Sequence, residues 1–389
     1  MMLHFSDPAK LKTKRIIFEE IYGAGDPSTL MELKELSARR RAIEESINET
    51  SVTAKATARE MAGGLTSRRE QDLLKLELYL PLLENLVFHA TSSGNVVSGV
   101  ELKISWSSAL SSVARLNFGG CKFFNNDELC FELGMTLFLY GAILRERAQE
   151  VLLTGDLVKS SKLYRKAAGV YHHLFQTVLP SLKPAVGQEK PPPPETTPSL
   201  SSVMNFICLA EAQGAVARKA VENGTSVGLL SKLDYGIKEL LDQAYSILNA
   251  SNEKCKLIST KLEEFICFSR SLHELRSKRY LAGSLKNDHI GLAIGVLRRA
   301  LGNIKGAPKE ESWQLVFKQE IETVSEMLRK LEHENNEVFH VRVPIHVDQL
   351  PSPESKKIVT GTPYDPKRSE TKLVFKKIVK PRLSKSQTM

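Results

Sequence analysis

The chain has 389 residues, with 54 Lys or Arg against 45 Asp or Glu, a formal net charge of +9 and 42% hydrophobic content. That balance fits a globular chain rather than a disordered one. The length exceeds the roughly 250–300 residues at which single compact cores stop growing, a limit that an elongated helical array escapes because each hairpin packs only on its neighbours.

Residues 1–60 read as helices rich in Glu, Arg and Lys, broken early by Gly23, Gly25, Asp26 and Pro27. Asp26 or Ser28 is placed to cap a helix in which Leu30, Leu33, Leu36, Ile43 and Ile47 keep a rough helical period. No apolar signal-type stretch opens the chain and no uncharged apolar run reaches 18 residues, so neither a leader nor a membrane span is expected. Glu70–His89 forms the next helix, with Leu73, Leu76, Leu80, Leu83 and Val87 on one stripe and a kink expected at Pro81. A Ser/Gly turn leads to Val100–Trp106, where Leu102, Ile104 and Trp106 alternate with Glu101, Lys103 and Ser105 as in a short strand. Gly119 and Gly120 mark a further turn.

From Asn126 the helical period is clean, through Leu129, Leu133, Leu137, Tyr140, Leu144 and Ala148 to a stop near Gly155. A second helix starts near Asp156 and carries Leu157, Tyr164, Ala168, Tyr171, Leu174, Phe175 and Val178. Residues 180–198 hold seven prolines in nineteen positions and form an exposed connection. Helices resume over 200–224, 226–249, 255–282, 289–301 and 311–335, followed by the extended VFHVRVPIHVDQLPSP. The expected fold is all-α: about nine helices in a tetratricopeptide-like solenoid, with one or two short strands. The 34-residue period of true tetratricopeptides is not kept.

From Glu354 onward the chain carries ten Lys or Arg against three Asp or Glu. This tail, from residue 366, is expected to be flexible. Its charge also suits weak contact with an anionic membrane surface, where each basic residue contributes roughly 1 kcal/mol. Nucleic acid is not an expected partner, because the basic residues lack interleaved aromatics and any binding motif.

No phosphate-binding glycine loop, HExxH or GxSxG occurs. The five cysteines, Cys121, Cys130, Cys208, Cys255 and Cys267, form no CxxC pair, and adjacent His172 and His173 point about 100° apart on a helix. No enzyme, metal or cofactor is therefore expected. Surplus apolar residues are the more informative feature. Leu229 and Leu233 lie beside the stripe Leu230, Ile237, Leu241 and Leu248, and Val216 stands on the preceding helix. Either the three are ordinary inter-helix packing, or they form an exposed patch of the kind that marks binding surfaces.

Four stretches carry a family resemblance: ELKISWSSAL with the helix through NNDELCFELGMTLFLYGAILRERAQ; LYRKAAGVYHHL; SSVMNFICLAEAQGAVARKA with LLSKLDYGIKELLDQAY; and ENNEVFHVRVPIHVDQLPSP. In order and spacing they resemble the Bro-one domain of Alix-type endosomal proteins, over roughly residues 70–365. The resemblance implies a boomerang-shaped helical domain over residues 1–365. It also implies a monomeric cytoplasmic adaptor recruited to endosomes, which binds the amphipathic C-terminal helix of ESCRT-III (charged multivesicular body protein) subunits in multivesicular body sorting or membrane remodelling. The family's apolar anchors fall on Val216, Leu229 and Leu233, and its basic groove residues on Lys232 and Lys162. The first anchor, aromatic in better-known members, is Val216 here, which implies weaker binding through smaller buried area. An acidic groove position falls near Thr154, with Asp156 two residues away. The alternative is a generic tetratricopeptide-like scaffold with an unrelated protein client, in which Val216, Leu229 and Leu233 are core.

Overall fold

A computed structural model describes residues 2–49, 67–92, 102–112, 122–182, 192–255, 258–304 and 306–376. The turn expected at Gly119–Gly120, much of the proline-rich connection and the last thirteen residues lie outside the described residues. Among those described there are ten α-helices and one small sheet. After the short α1 (Phe18–Ile21) come α2 (Pro27–Glu49), α3 (Arg68–Ser92), β1 (Ile104–Ser107), β2 (Phe123–Asn126), α4 (Leu129–Leu153) and α5 (Leu157–His173). They are followed by α6 (Pro198–Glu222), α7 (Val227–Cys255), α8 (Thr260–Leu285), α9 (Ile290–Gly302) and α10 (Glu311–Glu334). From α2 onward each helix packs on the one before it, which is the pattern of a solenoid.

The helix boundaries follow local chemistry. The Asp156 carboxylate accepts the Lys159 N–H at 2.9 Å and caps α5, and Gly155, with φ +90°, makes the tight turn out of α4. Thr197 caps α6, and Pro198 occupies the first turn, where its missing N–H costs nothing. α6 is long and apolar enough to cross a membrane, but its apolar window is 78% buried, so it is the core helix of the stack. α3 runs unbroken through Pro81, where a kink was expected.

β1 and β2 pair antiparallel with Trp106 opposite Phe124. The strand expected from Val100 is assigned from Ile104. The N-terminal segment does not form the expected helix before Gly23. Apart from a 3-10 turn at Asp7–Ala9 and α1, it runs extended, and Thr13 bridges to Trp106 at the sheet. Pro8 interrupts helical hydrogen bonding, and burial of Leu3, Phe5 and Leu11 against the array outweighs the helix-favouring charges.

Two buried ion pairs tie the layers together. Glu132 of α4 accepts from Arg40 of α2 at 2.5 Å, from the Trp106 indole at 2.6 Å and from the Tyr79 hydroxyl of α3 at 3.0 Å. Arg145 of α4 donates to both carboxylate oxygens of Glu211 on α6, at 2.7 and 2.5 Å, and to the Phe5 carbonyl. Each carboxylate is thus almost fully satisfied, the condition under which a buried charge is tolerated.

The chain beyond residue 365 is not a free tail as far as it is described. Leu373 is buried, Phe375 meets the Tyr22 ring, and the Lys376 N–H donates to the Gly23 carbonyl at 2.8 Å. The expected boundary at 365 is corrected: apolar side chains at alternate positions in TKLVFK anchor the segment over α1 and α2, which its net charge alone does not reveal.

Candidate functional site

The five candidate residues fall at one end of the α5–α6–α7 layer. On α5, positions 158, 162, 165 and 169 share a stripe, and on α7 positions 229, 232 and 236 do the same. Gln213 and Val216 of α6 lie between them. Lys162 is exposed, Val216, Leu229 and Lys232 are half-buried, and Leu233 is only 2% exposed. Leu233 belongs to the main hydrophobic core, on a stripe with Leu230, Ile237, Leu241 and Ala244. The expectation of an exposed Leu233 is therefore corrected, for it points inward while Leu229 sits at the edge. Leu229 packs as a partly buried residue against that same core.

An extended strap from Glu354 to Tyr364 crosses the same face. The Lys356 N–H donates to the Lys232 carbonyl at 3.0 Å, and the Lys356 carbonyl accepts from the Gln213 amide at 3.0 Å. The Ile358 N–H donates back to Gln213 Oε1 at 3.1 Å. Farther on, Arg165 Nε donates to the Thr360 carbonyl at 2.8 Å and the Arg165 carbonyl accepts from the Thr362 N–H at 2.9 Å. Two glycines make this approach possible. A Cβ on Gly169 would lie 1.6 Å from the Thr362 carbonyl oxygen, and one on Gly236 would lie 2.5 Å from that of Lys356. Ion pairs fasten the near end: Lys232 Nζ sits 2.5 Å from Glu354 and Lys357 Nζ 3.2 Å from Glu239. The Glu239 carboxyl is held below the ordinary carboxylate range, first by the Ser355 hydrogen bond and then by Lys357, and Lys232 does the same for Glu354.

The strap covers one half of the face and leaves the other half bare. The half beyond the strap contains exposed Val158 and Lys162 with half-buried Val216 and Leu229. Val158 is 55% exposed and shares the Lys162 stripe, yet spacing alone did not single it out. Its signal was an apolar residue on the outer side of an amphipathic helix, four positions before Lys162. Beside it, Lys159, Lys162 and Lys166 are exposed and make no ion pair among the described residues. Asp156 caps α5 through one carboxylate oxygen and stays exposed at the edge of this face. The face is thus a shallow apolar strip with a basic margin, suited to the apolar side of a helix that also carries acid groups.

Elsewhere, no group of three or more His, Cys, Asp or Glu among the described residues is placed to hold a metal. A buried His273–Asp234 pair at 2.7 Å links α8 to α7, with the imidazole pKa pushed down by burial. The hydroxyls of nearby Ser231 and Ser277 are committed to each other's backbone carbonyls at 2.8 Å.

Against known proteins, the model of the BRO1-like domain family matches residues 22–385. Programmed cell death 6-interacting protein of Xenopus laevis is 25% identical over 250 residues, which are 64% of this chain and 28% of that protein. The chain therefore spans less than a third of that relative. Among solved structures, the ALIX BRO1–CHMP4C complex aligns with a TM-score of 0.70 at 19% identity, over 95% of this chain and 97% of that one. ALIX in complex with the SIVmac239 PYKEVTEDL late domain aligns with a TM-score of 0.70 at 19% identity, over 91% of this chain and 48% of that one. A structure describing endosomal targeting by the Bro1 domain gives 0.62 at 18% identity, over 93% and 94%. At these identities the structural likeness establishes the shared helical architecture.

Proposed function

The chain belongs to the BRO1-like domain family, and we propose that it is a non-enzymatic adaptor that docks the amphipathic C-terminal helix of an ESCRT-III subunit on the α5–α7 face. The adaptor works in the cytoplasm and is recruited to endosomes, where it serves multivesicular body sorting or membrane remodelling. One observation carries the reading: the strap occupies only half of the face, and the half it leaves open presents Val158, Val216 and Leu229 beside unpaired lysines. Support also comes from the family match and from the CHMP4C complex of the related ALIX domain. Lys162 and Lys232 flank the strip and suit acidic residues of the docked helix, while Val216 and Leu229 suit its apolar anchors. Leu233 acts from below by supporting Leu229, and takes no part in contact.

The test is fluorescence anisotropy with a labelled peptide of the CHMP4C C-terminal helix and the full chain. Wild type binds. Leu229→Asp loses at least tenfold in affinity with its far-UV circular dichroism unchanged, because a half-buried position tolerates the charge in the free protein. Absence of wild-type binding, or equal binding by a folded Leu229→Asp, contradicts the reading. Leu233→Asp is unsuited to this test, since an unpaired charge in the core costs several kcal/mol and removes the fold along with the site.

A further inference from the structure

The strap brings its own carboxylate to the docking face. Glu354 reaches back to Lys232 at 2.5 Å, although the two are 122 positions apart in sequence. Both side chains are largely open to solvent, Lys232 at 44% and Glu354 at 77%. The pair is therefore not a buried structural bridge of the Arg145–Glu211 kind. It stands at the border between the covered and the bare halves of the face, one helical turn from Leu229. Lys232 is also fixed independently of that pair, because its backbone carbonyl accepts the Lys356 N–H. The rest of the strap keeps its hold through Gln213, Arg165 and the close approach at Gly169 and Gly236. Releasing Glu354 thus frees the Lys232 ammonium without undoing the strap. Lys159, Lys162 and Lys166, by contrast, carry no partner among the described residues and are open to a ligand at once.

Resting on the docking reading above, we propose that Glu354 is a built-in rival for an acidic residue of the docked helix: it occupies Lys232 in the free protein and must yield it on binding. The exchange swaps one exposed ion pair for another, so its effect on affinity is modest and salt-sensitive. The lysines of α5 then supply the steering charge, and Lys232 acts as the gated contact that distinguishes an acid-bearing helix from a purely apolar one.

The experiment titrates the full chain with the labelled CHMP4C helix peptide, comparing wild type, Glu354→Gln, Lys232→Gln and the double variant at low and moderate salt. Glu354→Gln tightens binding about two- to fivefold, the range of exposed ion pairs. Lys232→Gln weakens it, and Glu354→Gln has no effect in the Lys232→Gln background. Hydrogen exchange at the Ile358 amide stays as slow in Glu354→Gln as in wild type. Equal or weaker binding by Glu354→Gln, with Lys232→Gln still weakened, overturns the rivalry and leaves the docking face intact. A gain accompanied by fast exchange at Ile358 also overturns it, because the gain then comes from loss of the strap. If no variant binds, the docking reading itself falls and the rivalry with it.

Discussion

Two extended segments cross the helical array from opposite ends of the chain, and they hold on by different means. The N-terminal segment inserts side chains: Leu3, Phe5 and Leu11 are buried, Phe5 stacks on Phe265 at 5.5 Å between centroids, and the Trp313 indole donates to the His4 carbonyl at 2.8 Å. Its Phe5 carbonyl is also bound by the buried Arg145. Over residues 354–358 the strap relies on backbone hydrogen bonds and two largely exposed ion pairs, and Glu354, Lys356, Lys357 and Ile358 stay exposed. Side chains of the strap pack inward only farther on, at Val359 and Tyr364. The first segment is part of the core. The second dresses a surface and leaves part of it accessible, and for that reason the strap side is the one suited to recognition.

The contrast is open to breaking at its strongest point first. Arg145→Ala is expected to cost about 3–5 kcal/mol in denaturant unfolding, because Glu211 is left buried without its partner and the Phe5 carbonyl loses a donor. A loss below about 1 kcal/mol would mean the N-terminal segment is as dispensable as the strap. Phe5→Ala is expected to cost about 3 kcal/mol by the same measurement, as removal of a buried aromatic does. Gln213→Ala sharpens the other side. It removes both Gln213 bonds to the strap together with one to the Leu233 carbonyl of α7, and is expected to cost about 2 kcal/mol. Hydrogen exchange should accelerate at Lys356 and Ile358 and remain unchanged in α2–α4.

The smallest effect concerns pH at the far end of the strap. Tyr364 donates to Glu84 at 2.7 Å, and burial pushes the Glu84 carboxyl up to about 7, against the smaller downward pull of that hydrogen bond. Folding therefore favours the protonated acid. The associated stability is fully present below the ordinary carboxylate pKa of about 4.3 and is lost as pH rises through about 7. Glu84→Gln, which keeps an acceptor without the charge, is expected to melt near wild type at pH 4 and to gain stability of about 1 kcal/mol by pH 8. A gain that shrinks with rising pH would contradict this.

Much of the array was legible because its helices bury one stripe each. The period through Leu129, Leu133, Leu137 and Leu144, the Asp156 cap and the strand at Ile104–Trp106 all reappear in the structure, although Ser105 is buried along with its apolar neighbours. The Glu132 hub was not legible, since a single acid among leucines has no local mark and its partners lie in α2, α3 and β1. The strap was missed for the same reason: it has no hydrophobic period, and its bonds reach back to Arg165 and as far as Glu84. Two signals were nevertheless present. Gly169 and Gly236 sit inside helices, where glycine costs about 1 kcal/mol relative to alanine, and close backbone approach explains both. Leu233 was separable from Leu229 by spacing as well, because it precedes Ile237 by one turn on the inward stripe. Reading both as beside the stripe grouped the two, as did the family likeness, whereas burial divides them.

Hydrogen–deuterium exchange of the full chain with and without the CHMP4C helix peptide locates the docking face directly. Docking on the α5–α7 face slows exchange in the last turns of α6 around Val216 and the first turns of α7 around Leu229, with no change at the open apolar groove formed by Ala307, Pro308, Leu315 and Ile321. Protection at that groove instead, with α6 and α7 unaffected, would contradict the assignment of the docking face.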